Sequence, residues 1–196
     1  MRYISCVLWL ALASLSASAE EIPSTQAPFG LSWGMSTAQV KAIGVELTDV
    51  EGVDNGSSFT AMKLPKVLND AQHVYLSFGF GDKLWRIAVA SRNFDNDSTG
   101  VNVLTRYEEL KGILADKYGK GESIHSLGRH TQEHFAMHIK RGEAHWGTRF
   151  NTPQTMIVLA IAAHDLSTTF WTLIFEEKTL ADEFEKAKKA NERGTL

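Results

Sequence analysis

The segment that most constrains the fold is His73–Ala90, which reads as a β-hairpin. Two runs of β-branched and aromatic residues flank Gly81-Asp82, where glycine supplies the positive φ of a two-residue turn. A turn at this point sets apolar residues opposite one another on one face and leaves a mixed second face, as in a strand pair covered on one side. The predicted apolar pairs are Val74–Val89, Leu76–Ile87 and Phe78–Trp85, and the pairs of the other face are Tyr75–Ala88 and Ser77–Arg86.

The first 19 residues predict export. Met1-Arg2 is a short basic start, Ile4 to Leu15 is an apolar run, and Ala17-Ser18-Ala19 is a small-residue cleavage site. We therefore expect a signal peptide over residues 1–19 and a periplasmic or secreted protein. Residues 20–28 read as a flexible lead-in, and residues 29–196 as a single domain.

Composition excludes several classes of function. Cys6 is the one cysteine and lies within the predicted signal peptide, so we expect no disulfide and no thiol chemistry in the exported chain. The formal net charge of −3 carries no basic footprint for nucleic acid. No later segment has the length and apolarity of a membrane span, so we expect a protein without one.

A helix start follows the lead-in. Ser36 and Gln39 form a capping box, and Gly44 predicts the end of a helix over residues 37–43. The pattern F-G-x-x-W-G-M-S-x-x-x-V-x-x-x-G, carried by Gly34-Met35-Ser36 and Val40, resembles small exported bacterial proteins of the SmpA/OmlA and β-lactamase-inhibitor-protein type. The resemblance implies a helix packed on an antiparallel sheet and a periplasmic binding or assembly module. It implies no catalytic residue.

The rest of the chain alternates strands and helices. Residues 45–50 and 58–64 read as short strands, and residues 101–118 as an amphipathic helix. The loop 93–100 is rich in Asp and Asn; it reads as a turn into that helix, with calcium binding as the alternative.

The second half repeats the order of hairpin and helix. Residues 155–163 are a continuous apolar run that suits a central strand buried on both faces. Residues 168–175 form its partner strand, and residues 178–193 a charged helix. The predicted fold class is thus α+β, an antiparallel sheet of about eight strands with helices packed on one side, with two αβ halves from a duplication as one interpretation.

Five of the seven histidines lie within residues 125–145. A predicted hairpin over residues 135–150, turning at Arg141-Gly142, sets His138 opposite His145, where two imidazoles can share one Zn²⁺ or Cu²⁺. His134 is the third predicted ligand. The alternative is a set of solvent-exposed polar side chains without metal.

No nucleophile elbow, phosphate loop, dinucleotide fingerprint or zinc-protease motif is readable, so we expect no enzymatic activity and no obligatory cofactor. The leading hypothesis is a non-enzymatic module that binds another envelope protein through a sheet edge or its solvent face. The alternative is a protein that binds a metal or a small ligand through residues 125–145. A hydrolase without a readable motif is the third hypothesis.

Overall fold

The computed structural model describes residues 26–51, 56–126 and 133–195. In this part of the chain, eight strands form one antiparallel sheet accompanied by four α-helices, which confirms the α+β fold class. The predicted signal peptide lies outside the described residues. The elements in chain order are α1 (Thr37–Ala42), β1 (Glu46–Val50), β2 (Ser57–Met62), β3 (Ala71–Phe78), β4 (Leu84–Ser91), α2 (Val101–Tyr118), β5 (Glu122–Ser123), α3 (Phe135–Lys140), β6 (Gly147–Asn151), β7 (Thr155–Ala163), β8 (Thr169–Glu177) and α4 (Lys178–Thr195).

The strand order across the sheet is β1-β2-β3-β4-β8-β7-β6-β5. Two four-stranded arms, each built from neighbours in the sequence, meet where β4 pairs with β8 from Arg86↔Glu176 to Ala90↔Thr172. This order places the β3–β4 hairpin and the β7–β8 hairpin side by side in one sheet. Descent of the arms from one duplicated ancestor stays a prediction.

The β3–β4 hairpin has the predicted register from Val74↔Val89 to Ser77↔Arg86. The last predicted pair is wrong, because Phe78 pairs with Leu84 and Trp85 forms a bulge. The predicted two-residue turn is wrong as well. The loop spans residues 79–83, and its positive φ of 50° belongs to Asp82 rather than Gly81. A side-chain contact accounts for the loop, since Asp82 Oδ1 accepts a hydrogen bond from the backbone N–H of Thr37 at 3.1 Å.

The core lies between the sheet and α2. Four helix side chains at helical spacing are buried against the sheet: Val103, Tyr107, Leu110 and Leu114. The helix starts as the sequence predicts, at the end of the Asp-rich loop. Asp97 caps it by accepting hydrogen bonds from the backbone N–H groups of Asn102 (2.9 Å) and Val103 (3.1 Å). This carboxylate therefore has a structural partner for each of its oxygens.

The short helix α1 has the predicted capping box. Ser36 Oγ accepts from the Gln39 N–H at 3.2 Å, and Gln39 Oε1 accepts from the Ser36 N–H at 2.8 Å. The segment before it joins the sheet, because the Gly34 N–H donates to the Leu84 carbonyl at 2.9 Å. This segment therefore lies beside β4 where β8 has ended.

Helix α4 packs against the sheet at the β3–β4 loop. The ring of Phe184 stacks on Trp85 at 4.9 Å and on Phe80 at 5.4 Å between centroids. The bulge at Trp85 serves this contact, since a regular strand would have directed the indole with Phe78 into the α2 core.

The hairpin that the sequence predicts over residues 135–150 is wrong. Residues 135–140 form helix α3, and the strand that follows begins only at Gly147. The alternation of Phe135, Met137 and Ile139 is typical of a strand. In the structure the buried residues are Phe135 and Ala136, which are adjacent in the sequence, as one face of a helix allows and one face of a strand does not. Six residues are too few for periodicity to distinguish the two structures.

Candidate functional site

The candidate site is the face of the sheet opposite α2. Strand β7 was expected to be buried on both faces, and this is wrong, because only Ile157, Leu159 and Ile161 are buried, all on the α2 side. We define the open face as nine half-exposed, mostly apolar residues of the three central strands: Ala88 and Ala90 of β4, Phe170, Thr172 and Ile174 of β8, and Met156, Val158, Ala160 and Ala162 of β7.

The open face has a row of small side chains across its middle. The register sets Ala90 opposite Thr172, Thr172 opposite Ala160, and Ala160 opposite Gly147. We call these four the small-residue row. One neighbouring row carries the larger side chains of Ile174 and Val158, and Phe170 stands on the other side of the small-residue row. The face is therefore grooved, with its lowest line running across the strands.

The charges that border the open face are balanced. At one end Arg86 Nε lies 3.0 Å from Glu176 Oε1, and both side chains are about four-fifths buried. At the β5 edge, Glu122 pairs directly with Arg149. The open face thus presents an apolar centre between Arg86 and Glu176 at one end and Glu122 and Arg149 at the β5 edge.

A cavity of about 500 Å³ lies at the corner of the open face nearest β5 and β6. We call it the corner cavity. Gly147, Ala160 and Ala162 line it from the open face, and we call these three its floor; Trp146 and Ile161 line it as well. Gly147 and Ala160 also belong to the small-residue row. Ile124 forms one wall, since a Cβ placed on Gly147 would lie 3.0 Å from Ile124 Cδ1. Lys140, the last residue of α3, lies at its rim.

The predicted metal ligands fall into two places. His138 belongs to α3 and His134 is the residue directly before that helix; the N–H of His138 donates to the carbonyl of His134. His138 Nδ1 lies 2.7 Å from Glu143 Oε2 and is thus already paired. His145 pairs instead with Ser126 across the edge of the sheet and lines the corner cavity.

The structure therefore does not set His138 opposite His145, because no hairpin joins them. Within residues 26–51, 56–126 and 133–195, no group of three or more His, Cys, Asp or Glu side chains could hold a metal ion. His130 lies outside the described residues.

An aromatic cluster lies on the α2 side of the sheet and adjoins the corner cavity, because one of its members, Trp146, lines that cavity. His125 stacks on Trp146 with 4.0 Å between ring centroids, and the Tyr107 hydroxyl is 2.5 Å from Thr148 Oγ1 and 3.4 Å from His125 Nε2. Burial raises the pKa of Tyr107 to about 12, so its hydroxyl keeps its proton. Burial and the nearby Lys111 lower the pKa of His125. The cluster ties α2 to β6 at the base of the cavity wall.

The open face and the corner cavity escaped sequence reasoning, although one signal pointed to them. The run over residues 155–163 is apolar at every position after Thr155, which burial on one face does not require. The half-exposed Met156, Val158, Ala160 and Ala162 are the positions left without a core to explain them.

No helix within the described residues is long and apolar enough to cross a membrane. Comparison with known proteins gives no match to any protein-family model, to any curated protein or to any solved structure.

Proposed function

We propose that the protein is an exported, non-enzymatic binding module that recognises an apolar segment of another envelope protein through its open face. The observation that carries this proposal is the half-exposed state of nine mostly apolar residues on the central strands. The residues that predict export, Met1–Ala19, support the compartment.

Solvent access at the centre of a sheet is what a binding surface requires. Contiguous apolar patches on a soluble domain mark places where another molecule docks, because each Å² removed from water contributes roughly 25 cal/mol. A sheet face that remains in contact with water usually carries polar side chains, and the open face carries few of them on β7 and β8. Thr172 is the one polar residue of the nine.

The chemistry of the partner follows from shape and charge. The balanced pairs Arg86–Glu176 and Glu122–Arg149 do not select a charged partner. The small-residue row leaves room for side chains that insert between Ile174 and Phe170. An apolar protein segment fits both features, and its side chains would occupy the groove.

Site-specific crosslinking tests this proposal. The photoreactive residue p-benzoylphenylalanine replaces Val158 on the open face, and in a control protein it replaces Ile113, which is 57% exposed on α2. Irradiation in cells that express the full sequence should give a discrete adduct from position 158 and none of that size from position 113.

A disruption variant then decides whether the adduct reports binding. Ile174→Lys places a charge in the middle of the open face and should weaken binding of the crosslinked protein by roughly tenfold or more, whereas Ile113→Lys should not. Equal adducts from both positions, or unchanged binding to Ile174→Lys, would contradict the proposal.

The corner cavity favours a second candidate function, the binding of a small ligand, because Ser126, Lys140 and His145 line it together with residues of β6 and β7. Its volume of about 500 Å³ lies within the range of roughly 300–1,000 Å³ of small-molecule sites. The crosslinking at Val158 and the Ile174→Lys variant do not test this second candidate function, because neither residue lines the cavity.

A further inference from the structure

We infer that the corner cavity binds a single-chain amphipathic carboxylate, whose apolar chain lies over Gly147, Ala160 and Ala162 and whose head group pairs with Lys140 and His145. The inference rests on the second candidate function, a small-ligand site, and names its ligand class.

The apolar part of the ligand follows from the floor and wall. Gly147, Ala160 and Ala162 belong to one face of the sheet, and Ile124, directly after β5, covers the edge of the floor. None of these side chains offers a hydrogen-bonding group. The floor residues are small, and two of them, Gly147 and Ala160, also belong to the small-residue row. An unbranched chain can therefore extend from the cavity along the groove.

The head group follows from the charges of the lining. Lys140 and His145 are exposed residues of the lining, and no Asp or Glu is among the described residues that line the cavity. Glu143, close to both in sequence, is held by His138 at 2.7 Å. Ser126 adds a hydroxyl at the same end. A carboxylate can thus accept charge-assisted hydrogen bonds there without meeting a negative neighbour.

Both features are needed for this assignment. An apolar floor alone would accept an alcohol or a hydrocarbon equally well, and the lysine and histidine alone would accept inorganic anions. Together they favour a ligand with an apolar chain and one terminal anion, because each end then meets a complementary part of the cavity.

The test is calorimetric titration with decanoate below its micellar concentration, using protein purified after expression of the full sequence. Decanol and decyltrimethylammonium serve as neutral and cationic probes with the same chain. We expect one decanoate per chain, bound at least tenfold more tightly than either control. No saturable binding of any probe would overturn both the site and the second candidate function. Equal binding of decanoate and decanol would overturn the carboxylate assignment alone.

Two matched pairs of variants locate the site. Ala160→Leu fills the floor and should abolish decanoate binding, whereas Ala88→Leu, on the same face outside the cavity, should leave it unchanged. Lys140→Met should weaken decanoate by about tenfold and leave decanol unaffected, and Lys120→Met should change neither. Circular dichroism and unfolding curves of each variant establish that it is folded. Binding that is unaltered in folded Ala160→Leu would place the ligand elsewhere and overturn the inference.

Discussion

At the scale of single residues, two carboxylates hold elements together that are distant in the sequence. Asp97 is 2% exposed and accepts hydrogen bonds from the first turn of α2 and from Thr169 Oγ1 of β8, at 2.7 Å. Asp70 accepts two hydrogen bonds from Arg106 of α2, at 2.8 and 2.9 Å, and one from the Trp171 indole of β8. Each carboxylate therefore fixes α2 to the central strand.

Replacing Asp97 tests its role as a cap. Asp97→Ala should lower the free energy of unfolding by about 2–3 kcal/mol, because it removes the helix cap and leaves the buried Thr169 hydroxyl without its acceptor. Urea denaturation followed by circular dichroism measures the change. Asp95→Ala, an exposed neighbour in the same loop, should cost no more than about 0.5 kcal/mol. Similar losses for the two variants would contradict the assignment.

Asp70 makes the stability depend on acid pH. Burial raises the pKa of its carboxyl, but the hydrogen bonds from Arg106 and Trp171 and the charge of Arg106 outweigh burial and hold that pKa below the ordinary 3.8. The unfolded chain therefore binds this proton at a higher pH than the folded chain does. The contribution of Asp70 is fully present above about pH 4 and is lost as the pH falls through the folded pKa.

Comparison of the free energies of unfolding at pH 7 and pH 3 checks this linkage. The loss of stability on acidification should be smaller in Asp70→Asn than in the wild type, because the variant has no carboxyl to protonate. Asp116→Asn, at an exposed position of α2, serves as the control and should keep the wild-type loss. An Asp70→Asn protein with the full acid dependence would show that other groups carry it.

At the scale of elements, the contact of α2 with α3 depends on a residue without a side chain. Gly100 precedes α2 with φ of 74°, and a Cβ there would lie 2.2 Å from Phe135 Cδ1. The ring of Phe135 thus occupies the space that any other residue would need. The N–H of Ala136 donates to the Ser98 carbonyl beside it.

Two glycine variants separate backbone strain from this steric contact. Gly142 follows α3 with φ of 71°, close to that of Gly100, and a Cβ added there would have no neighbouring atom within 4 Å, so Gly142→Ala should cost about 1 kcal/mol through strain alone. Gly100→Ala adds displacement of Phe135 and should cost about 2–4 kcal/mol in chemical denaturation. Equal costs would mean that Phe135 moves away freely.

Helix α4 is fixed to the sheet through the ring of Phe184. Phe184 is 4% exposed and stacks on Trp85, so Trp85→Ala and Phe184→Ala should each cost roughly 3–5 kcal/mol. In a double-mutant cycle the pair should show a coupling of about 0.5–1.5 kcal/mol. Hydrogen exchange of α4 should rise in both variants. Leu166→Ala is the control, since Leu166 is 57% exposed in the loop between β7 and β8, and independent effects of Trp85 and Phe184 would argue against the stack.

The sequence was most informative where pattern and length were both strong. Residues 74–77 pair as predicted, because a one-residue slip would have moved Leu76 away from the core. Helix α2 has the predicted bounds, since its buried stripe continues through about three turns and glycines flank the helix. By contrast, the bulge at Trp85 depends on α4, and α3 depends on Phe135 fitting over Gly100. Contacts this distant leave no local pattern.

At the scale of the whole molecule, the sheet has one buried face and one that is open to solvent. Leu173 and Ile174 are neighbours on β8 with opposite directions, and they provide a direct measure of this difference. Leu173→Ala should cost about 2–5 kcal/mol, and Ile174→Ala about 1 kcal/mol or less, because Ile174 is only half-buried. Thermal or urea unfolding of the two variants checks the sidedness, and a larger loss for Ile174→Ala would contradict it.

The periodicity of apolar residues, which identified the strands, could not predict the open face. Residues 155–163 have the composition of a doubly buried strand, and only the positions of the helices reveal that, within the part of the chain the structure describes, one face of β7 is less buried than the other. The corner cavity requires more still, since its floor, wall and rim come from β7, β6, residue 124 and α3. Tertiary packing assembles it from positions that carry no common motif.

The strand order has a consequence for how the chain reaches its native state. Strands β1 to β4 are complete once residue 91 is available, but the partner of β4 is β8, the last strand. During vectorial synthesis or transport the first arm therefore carries an unpaired hydrogen-bonding edge on β4 until nearly the whole chain has followed. Such an edge pairs readily with other chains. The pairing of β4 with β8 joins residues that are distant in the sequence, so it forms slowly compared with the strand pairs inside each four-stranded arm. We therefore expect the pairing of β4 with β8, at the centre of the sheet, to form last. Incomplete chains would aggregate through the unpaired edge of β4.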